Sequence, residues 1–376
     1  MNKQISYPLG NSTKIRTAVI AALTLLSFQS ALLHAQNPAK VKPKELIQLS
    51  LNENPFGPSP LVAEGIKSEF VNLARYSGDN GEALIEAIAK HEGVDKSQIV
   101  TGEILELLGV YLGLKGGPGS EFIYTVPGYP ALVNAAAQVG GKVISVPLNE
   151  KLENDLPAIF SKVNSKTQAV FLVNPHNPSG TVTDSKTFHN FLHQVSKQAL
   201  VIVDEAYLEF SDDFQGRTAV SNIKDGDNVL VFRTFAKAYG LAGLSFGYAV
   251  APKEIAAYLT KQGLGNPHDL NRLSVAAAAA SLKDTGYIAK VNKAVTAERE
   301  KWIAFLQENK LEHTPSQANF IYFDIKKPYA EVAAALKENG IIIGRSFAPY
   351  DTWIRISIGL PKENLKAREV IKSLIR

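Results

Sequence analysis

The 376-residue chain contains no cysteine, so it can form no disulfide, no thiolate metal site and no lipidated thiol. That absence fits a compartment in which stray thiols oxidise. Strong net charge is missing too. Lysine and arginine total 40 against 36 acidic residues, a formal +4. Three of those cations, Lys3, Lys14 and Arg16, lie in an N-terminal stretch without any acid, and removing them leaves +1. A near-neutral body argues against a nucleic-acid footprint or a polybasic membrane patch. No internal repeat or low-complexity segment is present, and no apolar run is long enough to span a bilayer as a helix. Two motif-like features fail on what they lack. His189 and His193 have metal-ligand spacing but no accompanying glutamate, and read as a solvated helix face; no metal site is expected. Residues Leu114 to Gly119 are glycine-rich but lack the Gly-Lys-Ser/Thr of a phosphate loop, and read as a turn before a strand at Phe122.

What is present begins with a leader. Lys14 and Arg16 precede an apolar core from Ala18 to Phe28, and Leu33-His34-Ala35 offers a small residue before a cut ahead of Gln36. This is the pattern of an export signal. With no Arg-Arg pair, the twin-arginine route is not indicated, and no membrane association is expected once the leader is removed. A Pro/Lys-rich linker covers Asn37 to Lys44.

Ile47 to Leu51 reads as a short strand. The three prolines at 55, 58 and 60 hold Asn52 to Pro60 as extended loop, because proline lacks a donor and biases its predecessor away from helix. From Leu61 to Gly265, strands and helices alternate, the signature of crossover units on a mostly parallel sheet. Strand-like runs fall at 122–126, 143–146, 170–173, 200–203, 229–232 and 248–250. Asp184 can cap a helix whose apolar residues Phe188, Phe191, Leu192 and Val195 share one face. Beyond His268 the texture changes. A long Ala-rich helix from Arg272 to about Glu300 is expected, then a strand at 318–323, a helix at 330–339, strands at 341–343 and 353–358, and a closing helix from Lys362. At roughly 100–200 residues per domain, this suggests a leader (1–35), a linker and arm (36–60), a larger α/β domain (61–267) and a smaller α+β domain (268–376).

Three successive strands end in polar groups: Asn174 and Asn177, then Asp204 and Tyr207, then Thr234 and Lys237. If those strands are parallel, the groups share one sheet edge, where open α/β sheets bind ligands. Each suits a pyridine aldehyde. Lys237 can close a Schiff base. A buried Asp204 can keep the ring nitrogen protonated, since an opposite charge favours the ionised form, and a protonated ring is an electron sink. Asn177 and Tyr207 can hydrogen-bond the ring phenolate, and Tyr129, in Pro127-Gly128-Tyr129-Pro130, can stack on the ring face.

These motifs resemble those of the fold-type I pyridoxal-phosphate aminotransferases, in particular the histidinol-phosphate aminotransferase-like group. The similarity covers Leu49 to Gly359 and rests on LNENPFGPSP, RYSGDNG, NPHNPSG, VIVDEAYLEF, RTFAKAYGLAGL and WIRISIG. It implies an α/β fold with a large, mostly parallel sheet flanked by helices, a smaller α+β domain, pyridoxal 5′-phosphate as cofactor, and a homodimer. It further implies that Tyr76 reaches the neighbouring protomer's cofactor phosphate and that Arg355 grips a substrate carboxylate, a task suited to a planar fork. Arg345 and Asn52, with Phe56, are candidates for the substrate mouth. The phosphate loop of the family aligns with Gly102, Glu103 and Ile104, where backbone amides at a helix start can cradle an anion. Three positions depart from the family pattern. Ser245 stands where an arginine usually binds the phosphate, Ala236 where a serine precedes the lysine, and Glu103 beside the phosphate loop, so the pocket looks weakened, with Thr234 and Tyr76 the surviving donors.

The expected activity is transfer of an amino group from an amino acid or amine to a 2-oxo acid. A decarboxylase or other lyase of the same fold would keep Lys237, Asp204, Asn177 and Tyr207, and a catalytically degenerate binding homologue would tolerate the altered phosphate pocket. Export sits awkwardly with a cytoplasmic biosynthetic substrate, so a donor other than histidinol phosphate is expected.

Overall fold

The computed structural model describes residues 46–375; the leader and the 37–44 linker lie outside the described residues. Eleven strands follow in chain order among these residues: β1 (Ile47–Leu49), β2 (Ile99–Gly102), β3 (Glu121–Val126), β4 (Lys142–Pro147), β5 (Thr167–Val173), β6 (Leu200–Asp204), β7 (Val229–Thr234), β8 (Gly247–Val250), β9 (Phe320–Asp324), β10 (Ile341–Ile343) and β11 (Trp353–Ser357). Seven of them make one sheet in the order β2-β8-β7-β6-β5-β3-β4. It is parallel from β7 through β4, and β8 alone runs against both neighbours. Two small sheets complete the set, β1 parallel to β10 and β9 antiparallel to β11.

The central strands are buried on both faces, which is why they read as continuous apolar runs. Along β5, Val170 and Leu172 join one apolar cluster while Ala169, Phe171 and Val173 join the other. The same alternation puts Val201 and Val203 of β6 on one side and Leu200 and Ile202 on the other. Helices cover each face. Asp184 caps the helix Ser185–Ser196 by accepting from Thr187 N, and Phe188, Phe191, Leu192 and Val195 are its buried face. On the opposite face, Leu105–Gly116 packs closely on Ala131–Gln138. At Gly109 a Cβ would stand 2.1 Å from the Leu132 carbonyl oxygen, so only glycine permits that approach.

The structure corrects one expectation. The Ala-rich segment is two helices, Arg272–Lys283 and Thr285–Glu308, broken at Asp284, whose side chain caps the second by accepting from Tyr287 N at 3.1 Å. Uniform helix propensity around it hid this Asp-Thr-Gly start signal. The strand at 99–102 had no separate expectation; it enters the sheet edge antiparallel to β8. The two histidines are engaged by the neighbouring segment: His189 Nδ1 lies 2.5 Å from Asn222 Oδ1, and His193 Nδ1 lies 2.7 Å from Asp227 Oδ1. Among the described residues no cluster of metal ligands occurs, and no helix is long and apolar enough to cross a membrane.

Candidate active site

Because β5, β6 and β7 are parallel neighbours, the polar groups that follow them do converge on one edge. The strand order reverses between β3 and β5, the position where such sheets bind ligands. A loop from the far N-terminal side closes over that edge. Lys237 Nζ donates to the Leu51 carbonyl at 2.9 Å. Asn52, buried and held at φ 54°, donates from Nδ2 to the Tyr207 hydroxyl at 3.2 Å. Asn177 Nδ2 donates to the same hydroxyl at 3.2 Å. With two amides donating to its oxygen, Tyr207 keeps its own proton for a third partner. Burial pushes its phenol up to about 12, so it remains a donor at neutral pH.

Arg355, on β11, reaches the same cluster. Its Nη1 donates to Asn177 Oδ1 at 2.5 Å and its Nη2 to the Ser50 carbonyl at 2.7 Å. The guanidinium lies over Phe320 and Phe347, 5.5 and 5.2 Å from the ring centroids, and its Nε is buried without a partner. A buried donor left unpaired is costly, and an anionic substrate group would relieve it. Arg345 is more exposed; it stacks on Phe347 at 4.3 Å and donates to the Gly128 carbonyl at 3.3 Å.

The electrostatics match the assigned chemistry. Burial raises Asp204 to about 7, opposed by the Ala206 backbone N–H and by Lys237. Lys237 is lowered, first by burial and then by Arg355, with Glu53 and Asp204 pulling the other way. A lysine brought down in this manner is easier to deprotonate, as a nucleophile and proton carrier must be. Tyr129 is partly exposed at the rim. Its phenol is raised by burial and then by Asp204, Glu106 and Glu103, which sets it within the field of the site.

Other candidates are placed as follows. Thr234 accepts from Ala236 N at 3.0 Å. Gly102 ends β2, Ile104 is buried ahead of the helix Leu105–Gly116, and Glu103 is exposed. Tyr76 is 71% exposed and stacks on His268 at 4.0 Å, well separated in sequence from the cluster. Asn52 is part of the buried network rather than an open mouth, since Ser357 Oγ donates to its Oδ1 at 2.9 Å.

Two sets of residues went unnoticed in the sequence. Ser357 and Asn319, which donates to the Asn52 carbonyl at 2.9 Å, pin the loop; Ser357 was signalled by lying two residues after Arg355 on one strand face. Behind Asp204, Arg233 Nη2 meets Glu205 at 2.9 Å and its Nε faces Glu92 at 3.3 Å, all buried. An arginine inside an apolar strand was the sign that carboxylates must meet it. A groove of about 820 Å³ between the helices Pro60–Glu69, Gly78–Glu92 and Arg272–Lys283 contains none of these groups.

A lysine, a buried acid and a tyrosine–asparagine pair at the carboxyl edge of this sheet define a fold-type I pyridoxal-phosphate enzyme. The ring end fits that group: Asp204 is a buried carboxylate that burial holds up despite the opposing field of Lys237, and the Tyr207 proton is free. The profile of the family "Aminotransferase class I and II" matches residues 44–371, and the chain belongs to that family. It is 34% identical over 321 residues to histidinol-phosphate aminotransferase 2 of Hydrogenovibrio crunogenus, covering 84% of this chain and 85% of that one. To the histidinol-phosphate aminotransferase of Limosilactobacillus fermentum it is 35% identical over 336 residues, 87% and 90% of the two chains. The crystal structure of the Sinorhizobium meliloti histidinol-phosphate aminotransferase in complex with pyridoxal-5′-phosphate superposes with a TM-score of 0.79 at 30% identity, covering 88% and 91%. The protein is thus a pyridoxal-phosphate-dependent aminotransferase.

Proposed function

We propose that this aminotransferase works as an exported homodimer and takes its amino group from a carboxylate-bearing donor other than histidinol phosphate. The observation that carries the donor class is Arg355, a buried planar fork with one unpaired donor beside the Tyr207–Asn177 pair. Bidentate pairing with carboxylate is what such a fork does best.

Bound at this edge, the cofactor supplies an electron sink for the substrate Cα carbanion. Asp204 would hold a proton on the pyridine nitrogen, and Tyr207 and Asn177 would hydrogen-bond the ring 3-oxygen. Lys237, released from the Leu51 carbonyl, would be the amine that anchors the aldehyde and, when free, the group that takes the proton from the substrate Cα. Arg355 fixes the carboxylate, which orients the Cα–H bond for that transfer.

Export is supported by the Lys14, Arg16 and Ala18–Phe28 pattern, with the likeness to an export signal resting on sequence alone. Dimer formation is supported by an apolar strip from Leu61 to Tyr76, along which Phe70, Val71 and Leu73 are exposed, Val71 by 87%. Such a strip marks a partner surface, and Tyr76 at its end would enter the second protomer's site. We further propose that residues 61–267 form the cofactor-holding domain and 268–376 the smaller one.

The test is a half-reaction. Cofactor-loaded protein given a single donor without acceptor should convert one equivalent of cofactor to its amine and stop. Continued turnover without a 2-oxo acid would mark a lyase instead. Faster conversion with histidinol phosphate than with any free amino acid in a panel would overturn the donor assignment, and a monomer by sedimentation would overturn the dimer.

A further inference from the structure

The two ends of the cofactor face very different surroundings in this chain. In the ring, the phenolic oxygen and the phosphomethyl arm flank the aldehyde carbon on opposite sides. Asn177 and Tyr207 follow β5 and β6, so the arm is directed the other way, toward β7, β8 and β2. Gly247, at the start of β8, pairs with Thr234 on one side and Gly102 on the other. That row, together with the start of the helix Leu105–Gly116, is where the phosphate must lie.

Of the segments meeting there, 101–106, 234–236 and 244–247 contain no lysine or arginine, and 265–270, whose Gly265 and Leu270 adjoin Thr101 and Gly102, adds only His268. Ser245 is exposed at φ 43°, and Ala236 has no polar group. Thr234 Oγ1 has a proton to offer, since its contact with the Phe246 carbonyl is long at 3.5 Å. The helix start contributes free backbone amides, but Glu103 and Glu106, both exposed, already place carboxylates at that positive end. Their field reaches the site, because both raise the Tyr129 phenol. A phosphate with about −1.5 to −2 charges at pH 7 therefore meets amides and the uncharged hydroxyls of Thr101, Thr234 and Ser245, opposed by two carboxylates and neutralised by no lysine or arginine of these segments.

We propose that recognition in this chain is carried by the ring end, with Ser245, Ala236 and Glu103 setting it, so that unphosphorylated pyridoxal binds within about tenfold of its phosphate ester. This rests on the aminotransferase reading above, and the experiment separates the two. Apo-protein of the full chain is titrated with pyridoxal 5′-phosphate and with pyridoxal, following the absorbance of bound aldehyde. Each constant is normalised to the imine constant of the same aldehyde with a free lysine derivative, because pyridoxal closes on its own hydroxymethyl group. Borohydride reduction and peptide mass then locate the adduct.

Both aldehydes should be trapped on Lys237 with normalised affinities within about tenfold. Ser245→Arg should tighten the phosphate ester by roughly tenfold or more through a charge-assisted pair, leaving pyridoxal unchanged. Glu103→Gln, at an exposed position that the fold does not need, should tighten the ester severalfold. A wild-type preference for the ester of about hundredfold or more, with the adduct on Lys237, overturns this proposal and leaves the aminotransferase reading intact. Equal effects of Ser245→Arg on both aldehydes also overturn it. Failure to trap either aldehyde on Lys237 removes the aminotransferase reading along with it.

Discussion

Replacing Asp204 by asparagine should make the empty protein more stable at alkaline pH while removing its activity. Asp204 is 3% exposed, and burial raises its carboxyl from an ordinary 3.8 to about 7. A carboxyl whose folded value exceeds its unfolded one binds more protons in the native state between those values. Its contribution to stability is complete below 3.8 and is lost as pH rises to about 7. Three pKa steps at 1.36 kcal/mol each amount to about 4 kcal/mol. Asparagine keeps the acceptor for Ala206 N, which bonds Asp204 Oδ1 at 3.0 Å, and cannot ionise. Glu205 and Glu209, raised by burial in the same direction, are common to both proteins and cancel in the difference. Urea unfolding of both apo-proteins from pH 4 to 8 should give coincident midpoints at the acid end and a gap growing to about 4 kcal/mol in favour of the variant by pH 8. Adding cofactor at pH 8 should reverse the order, because a protonated ring nitrogen pairs only with the carboxylate, and turnover should fall about hundredfold or more. Parallel midpoints across the whole pH range would refute the claim that Asp204 is buried for the sake of a cation absent from the apo-protein.

Further outcomes follow from other contacts. Arg233→Met strands Glu92 and Glu205 without their cation, as well as Glu209, whose Oε2 is buried without a partner. Loss of one member of a buried ion network costs about 3–5 kcal/mol, read as a lowered urea midpoint, and adding Glu205→Gln should recover part of it. Arg355→Lys gives up the fork that meets Asn177 and Ser50; kcat/KM for carboxylate donors should fall roughly thirtyfold to hundredfold, mostly through KM, while donors without a carboxylate change little. Asn52→Ala removes the hydrogen bonds to Tyr207 and Ser357 and should cost about 1–3 kcal/mol. Asn52→Gly should lose less through the backbone, since φ is positive there.

Much of this was present in the order of residues. Periodicity and strand length are local properties, so the strands at 122–126, 170–173, 200–203 and 229–232 stand where their apolar runs predict. The chemistry of Asn177, Asp204, Tyr207 and Lys237 was legible because parallel crossover units put every strand's carboxyl end on one edge, whatever the helices between them contain. The Asp284 break was less legible, since a long alanine-rich run of helix propensity is a stronger local signal than one capping acid, and only the packed partner Ser59, donating to Asp284 Oδ2 at 2.5 Å, shows where the chain bends.

Tertiary structure alone decided which distant groups complete the site. Asn52 meets Tyr207 across 155 positions and Arg355 meets Asn177 across 178; neither pairing has any periodicity to announce it. It also decided the protonation of the assembled groups, because burial, which moves Asp204 up and Lys237 down, is a property of everything packed around a side chain. The amino-acid order determines which chemical groups reach the sheet edge; the folded surroundings determine their charge, because desolvation is summed over neighbours that no local window contains.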